Sequence, residues 1–187
     1  PLSLNENVVD VRISPGKASG LPAVVTLFPP AGIFSIVNKA VTSHNDQNIS
    51  VYPGENNNRI TIAGSIPVSY STMETYVNVH QPALYTASVF AKILKARGIK
   101  IKGHVRLIDL KKESYKRNEL VLLCSHKSPP LPRAIAYINK ESDNLSAEML
   151  LKTLGGIYHG YGTSENGSSI VKGFLGYIGT DVKGLTM

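Results

Sequence analysis

At Pro82 the hydrophobic period of the chain changes, and no reading of the fold can ignore this. Before it, short β-prone runs alternate with turn residues. Val8, Val9, Val11 and Ile13 predict a first strand that Ser14-Pro15-Gly16 ends. Ala23–Phe28, Phe34–Val37, Asn48–Tyr52, Arg59–Ala63, Ile66–Tyr70 and Tyr76–Val79 predict further strands, with Pro53-Gly54 and Asn56-Asn57-Asn58 as turns. Short strands divided by turn residues argue for a mostly antiparallel module over residues 1–81. After it, Leu84, Ala87, Ala91 and Leu94 form a helical stripe, with Pro82 suited to its first position and Gly98 to its end. Ile99–Leu107 and Leu120–Cys124 read as a strand pair joined by the basic loop Lys111–Arg117. Helices follow over Leu131–Asn139 and Leu145–Leu154, then a flexible connection Gly155–Gly162, then a last helix marked by Ile170, Phe174 and Ile178. The class is α+β, in three parts: 1–81 β-rich, 82–127 helix plus strand pair, 128–187 helical.

The 187 residues carry 42% hydrophobic and 18% charged side chains, which describes a globular chain with a real core. No apolar run is long enough to cross a bilayer. The single cysteine, Cys124, excludes an internal disulfide and, inside an apolar run, is expected to be a buried inert thiol. The net charge is +7, yet no motif for RNA or DNA surrounds the basic loop, so nucleic acid is not an expected partner. The five histidines, His44, His80, His104, His126 and His159, lack the i, i+4 spacing of a helical metal site, and no metal or cofactor is expected. Gly155–Gly162 contains no phosphate-loop pattern.

The chemistry-bearing stretch is Ser142-Asp143-Asn144 at the start of a helical run. Asn or Asp before such a run is an ordinary N-cap. The alternative is the middle motif of the serine–lysine penicillin-recognising enzymes, which combine S-x-x-K, S-x-N and K-T-G. The flanks favour the second reading: Ser125–Leu131 upstream, Asn139-Lys140-Glu141 before the tripeptide, Ala147-Glu148-Met149-Leu150 after it. With Asn5–Val9, Ser14-Pro15-Gly16 and Gln81–Tyr85, these closely resemble the low-molecular-mass class C penicillin-binding proteins, and the resemblance spans nearly the whole chain.

That family consists of D-alanyl-D-alanine carboxypeptidases and endopeptidases that trim peptidoglycan through an acyl-serine and are acylated by β-lactams. The resemblance implies a β-rich insertion interrupting a catalytic domain, to which the chain returns near Ser128. It implies a proton-relay role for Ser142 and a substrate-peptide-binding role for Asn144. A hydroxyl suits a relay because it both donates and accepts, and an amide matches a peptide group on both counts. Asp143 is the variable middle position. Ser146 stands where the family often has an aromatic. The implied partners are peptidoglycan stem peptides and β-lactams, and the implied location is the periplasm or cell envelope.

Ser14–Lys17 matches S-x-x-K, but Pro15-Gly16 makes a turn where the pair needs a helix. Ser169–Lys172 follows S-D-N where the family has it before. Lys152-Thr153-Leu154-Gly155 ends a helix where K-T-G needs a strand. With all three rejected, and with the chain starting at Pro1, the sequence reads as an internal piece, inactive alone, whose uncovered apolar surface favours self-association. The other reading is a non-catalytic envelope module that binds peptidoglycan or protein.

Overall fold

In the computed structural model, residues 2–108, 121–122 and 124–186 are described. The chain forms two compact units, Leu2–Glu113 and Ser114–Met187.

The first unit contains two three-stranded sheets. In one, β1 (Val8–Ser14) lies between β2 (Val24–Phe28) and β6 (Met73–Asn78), antiparallel to both. In the other, β5 (Arg59–Pro67) lies between β3 (Ser35–Ser43) and β4 (Ser50–Pro53). β4 pairs antiparallel with β5, but β3 runs parallel to it from Ser35↔Arg59 to Ser43↔Pro67. One described ladder thus departs from the antiparallel expectation. Residues 59–70 are also one strand and a turn where two strands were expected. Gly64 carries the strand through with φ +104, at a point where a Cβ would strike the Asn48 carbonyl.

Alternation decides which face is buried. Val9, Val11 and Ile13 point inward from β1, and Ile60, Ile62 and Ile66 from β5, all fully buried. Helix α1 (Pro82–Ala96) closes the core with Tyr85 and Val89, one turn apart, and Tyr85 meets Phe34 edge-on at 5.8 Å. Pro82 occupies the first turn of α1, and Gly98 follows its end at φ +83, as the sequence predicts.

The expected strand pair after α1 is not found among the described residues. Residues 99–108, 121–122 and 124–130 have no regular structure. Val121 and Leu122 are more than four-fifths exposed, and Cys124 is exposed, not buried. A continuous apolar run is buried only when neighbouring elements cover it, and no described strand pairs with this one. The basic loop 111–117, Leu120 and Leu123 lie outside the described residues.

The second unit holds α2 (Leu131–Glu141), α3 (Asn144–His159) and α4 (Ser164–Tyr177). The glycine pair expected to open a flexible connection, Gly155-Gly156, is helical, and α3 ends only at Gly160, whose φ is +78. Glycine inside a helix costs about 1 kcal/mol relative to alanine. Here it lets α4 approach: a Cβ on Gly155 would lie 2.9 Å from the Gly167 nitrogen, and one on Gly167 would strike the Leu151 carbonyl oxygen. The turn from Gly160 to Thr163 completes the hairpin, and Thr163 Oγ1 caps α4 by accepting from the Asn166 amide at 3.2 Å. No helix among the described residues is long and apolar enough to cross a membrane.

Candidate active site

Ser142-Asp143-Asn144 spans the junction between α2 and α3 and the first residue of α3. Each of its three residues has a different structural duty. Ser142 is the C-cap that follows α2 and sits in the left-handed region, φ 54 and ψ 41. Its backbone N–H donates to the Ile138 carbonyl, as does that of Asp143 at 3.1 Å. Glycine or asparagine usually takes such a position, because a Cβ costs roughly 1–2 kcal/mol there.

Asp143 is the N-cap of α3. Its Oδ1 accepts from the Ser146 amide at 3.0 Å, and its Oδ2 accepts from the Ser146 hydroxyl at 2.5 Å. These two bonds, the hydroxyl's first, hold the carboxyl below the ordinary carboxylate range. The cap is therefore an anion at a helix N-terminus, where the helix dipole also favours it.

Asn144 is the first residue of α3, and both it and Ser142 are exposed. Among the described residues, no side-chain hydrogen bond is made by Ser142 or by Asn144. The capping duty that the sequence offers to an Asn or Asp falls on Asp143. That role was legible as a cap in general, but Asp143 was not singled out, because all three residue types are good caps.

Beside the junction, α2 and α3 enclose a mainly apolar cleft of about 420 Å³. Ala134 and Ile138 line it from α2, and Ser146, Met149 and Leu150 from α3. Arg133 and Tyr137 stand on the same wall, four residues apart on α2, with Tyr137 57% exposed. The cleft wall that has Ser146 in place of an aromatic thus has an aromatic on the opposite helix. The sequence carries no signal that singles out Arg133 or Tyr137.

Glu148 ties α3 to α4: it accepts from Ser164 Oγ at 2.6 Å and pairs with Lys152 at 3.1 Å. The Ser164 bond and then the Lys152 contact keep its carboxyl below the usual range.

The rejected motifs behave as ordinary structure. Lys152 and Thr153 lie inside α3, with Thr153 Oγ1 bonded to the Met149 carbonyl at 2.7 Å. Ser169 lies in α4, donates to the Asn166 carbonyl at 2.8 Å and faces His159 Nε2 at 3.2 Å. A serine–histidine contact is the beginning of a nucleophile, but this one is exposed, and neither residue lines a described cavity. Ser14 ends β1, its Oγ 2.9 Å from that of Thr72.

The chain is 29% identical over 182 residues to the D-alanyl-D-alanine carboxypeptidase of Actinomadura sp. (strain R39), a match covering 96% of this chain and 33% of that protein. Two crystal structures of penicillin binding protein 4 from Haemophilus influenzae, one complexed with a β-lactam, have the same fold. They superpose with a TM-score of 0.69 at 21% and 23% identity, covering 95% of this chain and 40% and 38% of theirs. The chain thus spans between a third and two-fifths of the length of these proteins. Over residues 1–187 it matches the model of the D-Ala-D-Ala carboxypeptidase 3 (S13) family, and it belongs to that family.

Proposed function

We propose that this chain is the part of a serine-type D-Ala-D-Ala carboxypeptidase that supplies the S-x-N element of the active site. Residues 128–187 belong to its catalytic domain, and residues 1–127 to the module inserted into it. The observation that carries this reading is the division of labour at the α2–α3 junction. Asp143 does the capping, which leaves an exposed hydroxyl and an exposed amide on either side of it, unspent and held by helix ends. Ser142 relays a proton towards the leaving amine, and Asn144 binds the substrate's peptide group. The substrate is a stem peptide of peptidoglycan, the acyl-enzyme forms on a serine outside this chain, and β-lactams acylate the same serine. The site of action is the periplasm or cell envelope.

The exposed apolar side chains of the second unit support the same reading. Tyr158, Phe174, Tyr177 and Ile178 are each more than half exposed on α3, α4 and the residue after it. So much apolar surface marks a contact face, which the rest of the catalytic domain covers in the longer enzyme and a second copy covers in its absence.

The test is acylation by a fluorescent penicillin in the longer enzyme. Ser142→Ala should slow it by on the order of 10²–10⁴ with folding intact, the usual cost of removing one member of a proton relay. Asn144→Ala should weaken turnover of a D-Ala-D-Ala peptide. An unchanged acylation rate in Ser142→Ala would remove that residue from the mechanism. The chain alone should not be labelled, and stable labelling at Ser169 would revive the Ser169–Lys172 pair.

A further inference from the structure

A second feature, independent of the S-D-N reading, lies in the β unit. The edges of β4 and β6 border an open groove of about 550 Å³, lined by Val51 and residues 53–56 on one side and by residues 75–78 and His80 on the other. Backbone register shows what each edge offers. The Val79 amide donates to the Asn7 carbonyl at 2.8 Å, in the register that pairs Val8 with Asn78. Bonded pairs alternate along an antiparallel ladder, so Val77, Thr75 and Met73 spend their backbone groups on β1. Glu74, Tyr76 and Asn78 therefore turn theirs outward, and no described residue takes them.

The opposite edge is blunted. The Gly54 amide donates to the Arg59 carbonyl at 2.7 Å, and Ser50 pairs with Ala63. Tyr52 therefore bonds inward, while Val51 and Pro53 face out. Proline has no N–H to offer, and it is a common device for closing an edge. β6 has no such protection: no proline, no lysine, and a two-thirds-exposed Tyr76 at its centre. One wall of the groove can pair with an incoming strand, and the other limits pairing.

The charge around it runs against that of the chain. The net charge is +7, yet among the described residues no lysine or arginine lines this groove or the smaller cleft of about 270 Å³ beside Thr75 and Tyr76. Glu55 lines the groove, and Asp10 and Glu74 line the cleft. Glu74 is paired with Arg12 at 3.0 Å, and Asp10 takes a long contact from Asn5 Nδ2 at 3.5 Å, so among the described residues Glu55 is the anion whose carboxylate has no partner.

We propose that this groove binds an extended segment of a partner protein bearing basic side chains, which adds to β6 as a new strand. Main-chain bonds to Tyr76 and Asn78 supply affinity, and the Glu55 carboxylate selects a basic segment. Volumes of this order hold a segment of a few residues.

The experiment uses the ¹⁵N-labelled chain and two blocked hexapeptides, one alternating Lys with Thr and one alternating Glu with Thr. The basic peptide should bind at least tenfold more tightly. The Tyr76 and Asn78 amides should gain exchange protection, while Thr75 and Val77, already bonded to β1, should not change. Tyr76→Pro deletes an outward donor without costing a bond to β1, and should weaken binding at least tenfold. Glu55→Lys leaves the backbone alone and should narrow the preference between the two peptides; it decides the matter if Tyr76→Pro does not fold. Any one of three results overturns the proposal: no binding at millimolar peptide, equal affinity for both peptides, or protection mapped away from β6. A β6-to-β6 dimer of the chain that excludes the peptide would overturn it as well.

Discussion

Replacing Gly167 with alanine should prise α4 from α3, and replacing Gly173 on the same helix should do the opposite. Both positions are helical, so alanine brings the same intrinsic gain of about 1 kcal/mol to each. At Gly173 a new Cβ meets nothing within 4 Å, so the gain stands alone. At Gly167, which is buried, the Cβ lands on the Leu151 carbonyl oxygen and against Leu151 Cγ. Overpacking costs about 1–3 kcal/mol. Because the nearest obstacle is backbone and cannot rotate away, the upper figure applies. The net is a loss of about 2 kcal/mol at Gly167 against a gain of about 1 kcal/mol at Gly173, a gap of about 3 kcal/mol. Urea denaturation followed by circular dichroism measures both, and exchange of the α4 amides localises the effect. α3 carries the S-D-N junction at its other end, so the Gly167 variant should also blunt acylation in the longer enzyme. If Gly167→Ala raises the urea midpoint as Gly173→Ala does, the interlocked-glycine account of the helix pair is wrong.

Ser142→Gly should stabilise the second unit by about 1 kcal/mol, by relieving a left-handed Cβ, yet slow acylation as much as Ser142→Ala; a destabilised glycine variant would refute the strain argument. The Asp143 carboxyl is lowered by its bonds to Ser146, so its contribution to stability is complete above its unfolded pKa and disappears as pH falls through the lower folded value. Exchange protection of the Ser146 amide should therefore fade only below the ordinary carboxylate range, and Asp143→Asn should remove that dependence while keeping a cap. Cys124 is exposed and should react with a thiol reagent in the native state about as fast as in urea; strong native protection would contradict its placement.

What the sequence decided by itself was local. Val9, Val11 and Ile13 alternate, which fixes the face β1 presents to a core. Pro82 and Gly98 bracket α1 because one lacks the N–H that a first turn does not use and the other tolerates positive φ. The tripeptide 142–144 marked a helix start, and its flanks pointed to the family. Other features depended on contacts between distant segments, which no local pattern encodes. The parallel pairing of β3 with β5 is set by how two strands some twenty residues apart meet. Gly155-Gly156 reads as a loop by propensity and is helical because Gly167 packs against it. Leu120–Cys124 reads as a buried strand, but burial requires a partner, and among the described residues Val121, Leu122 and Cys124 have none. At the junction, serine, aspartate and asparagine are all capable caps. Only the three-dimensional path of the backbone, left-handed at Ser142 and extended at Asp143, gives the cap to Asp143 and leaves the other two side chains exposed.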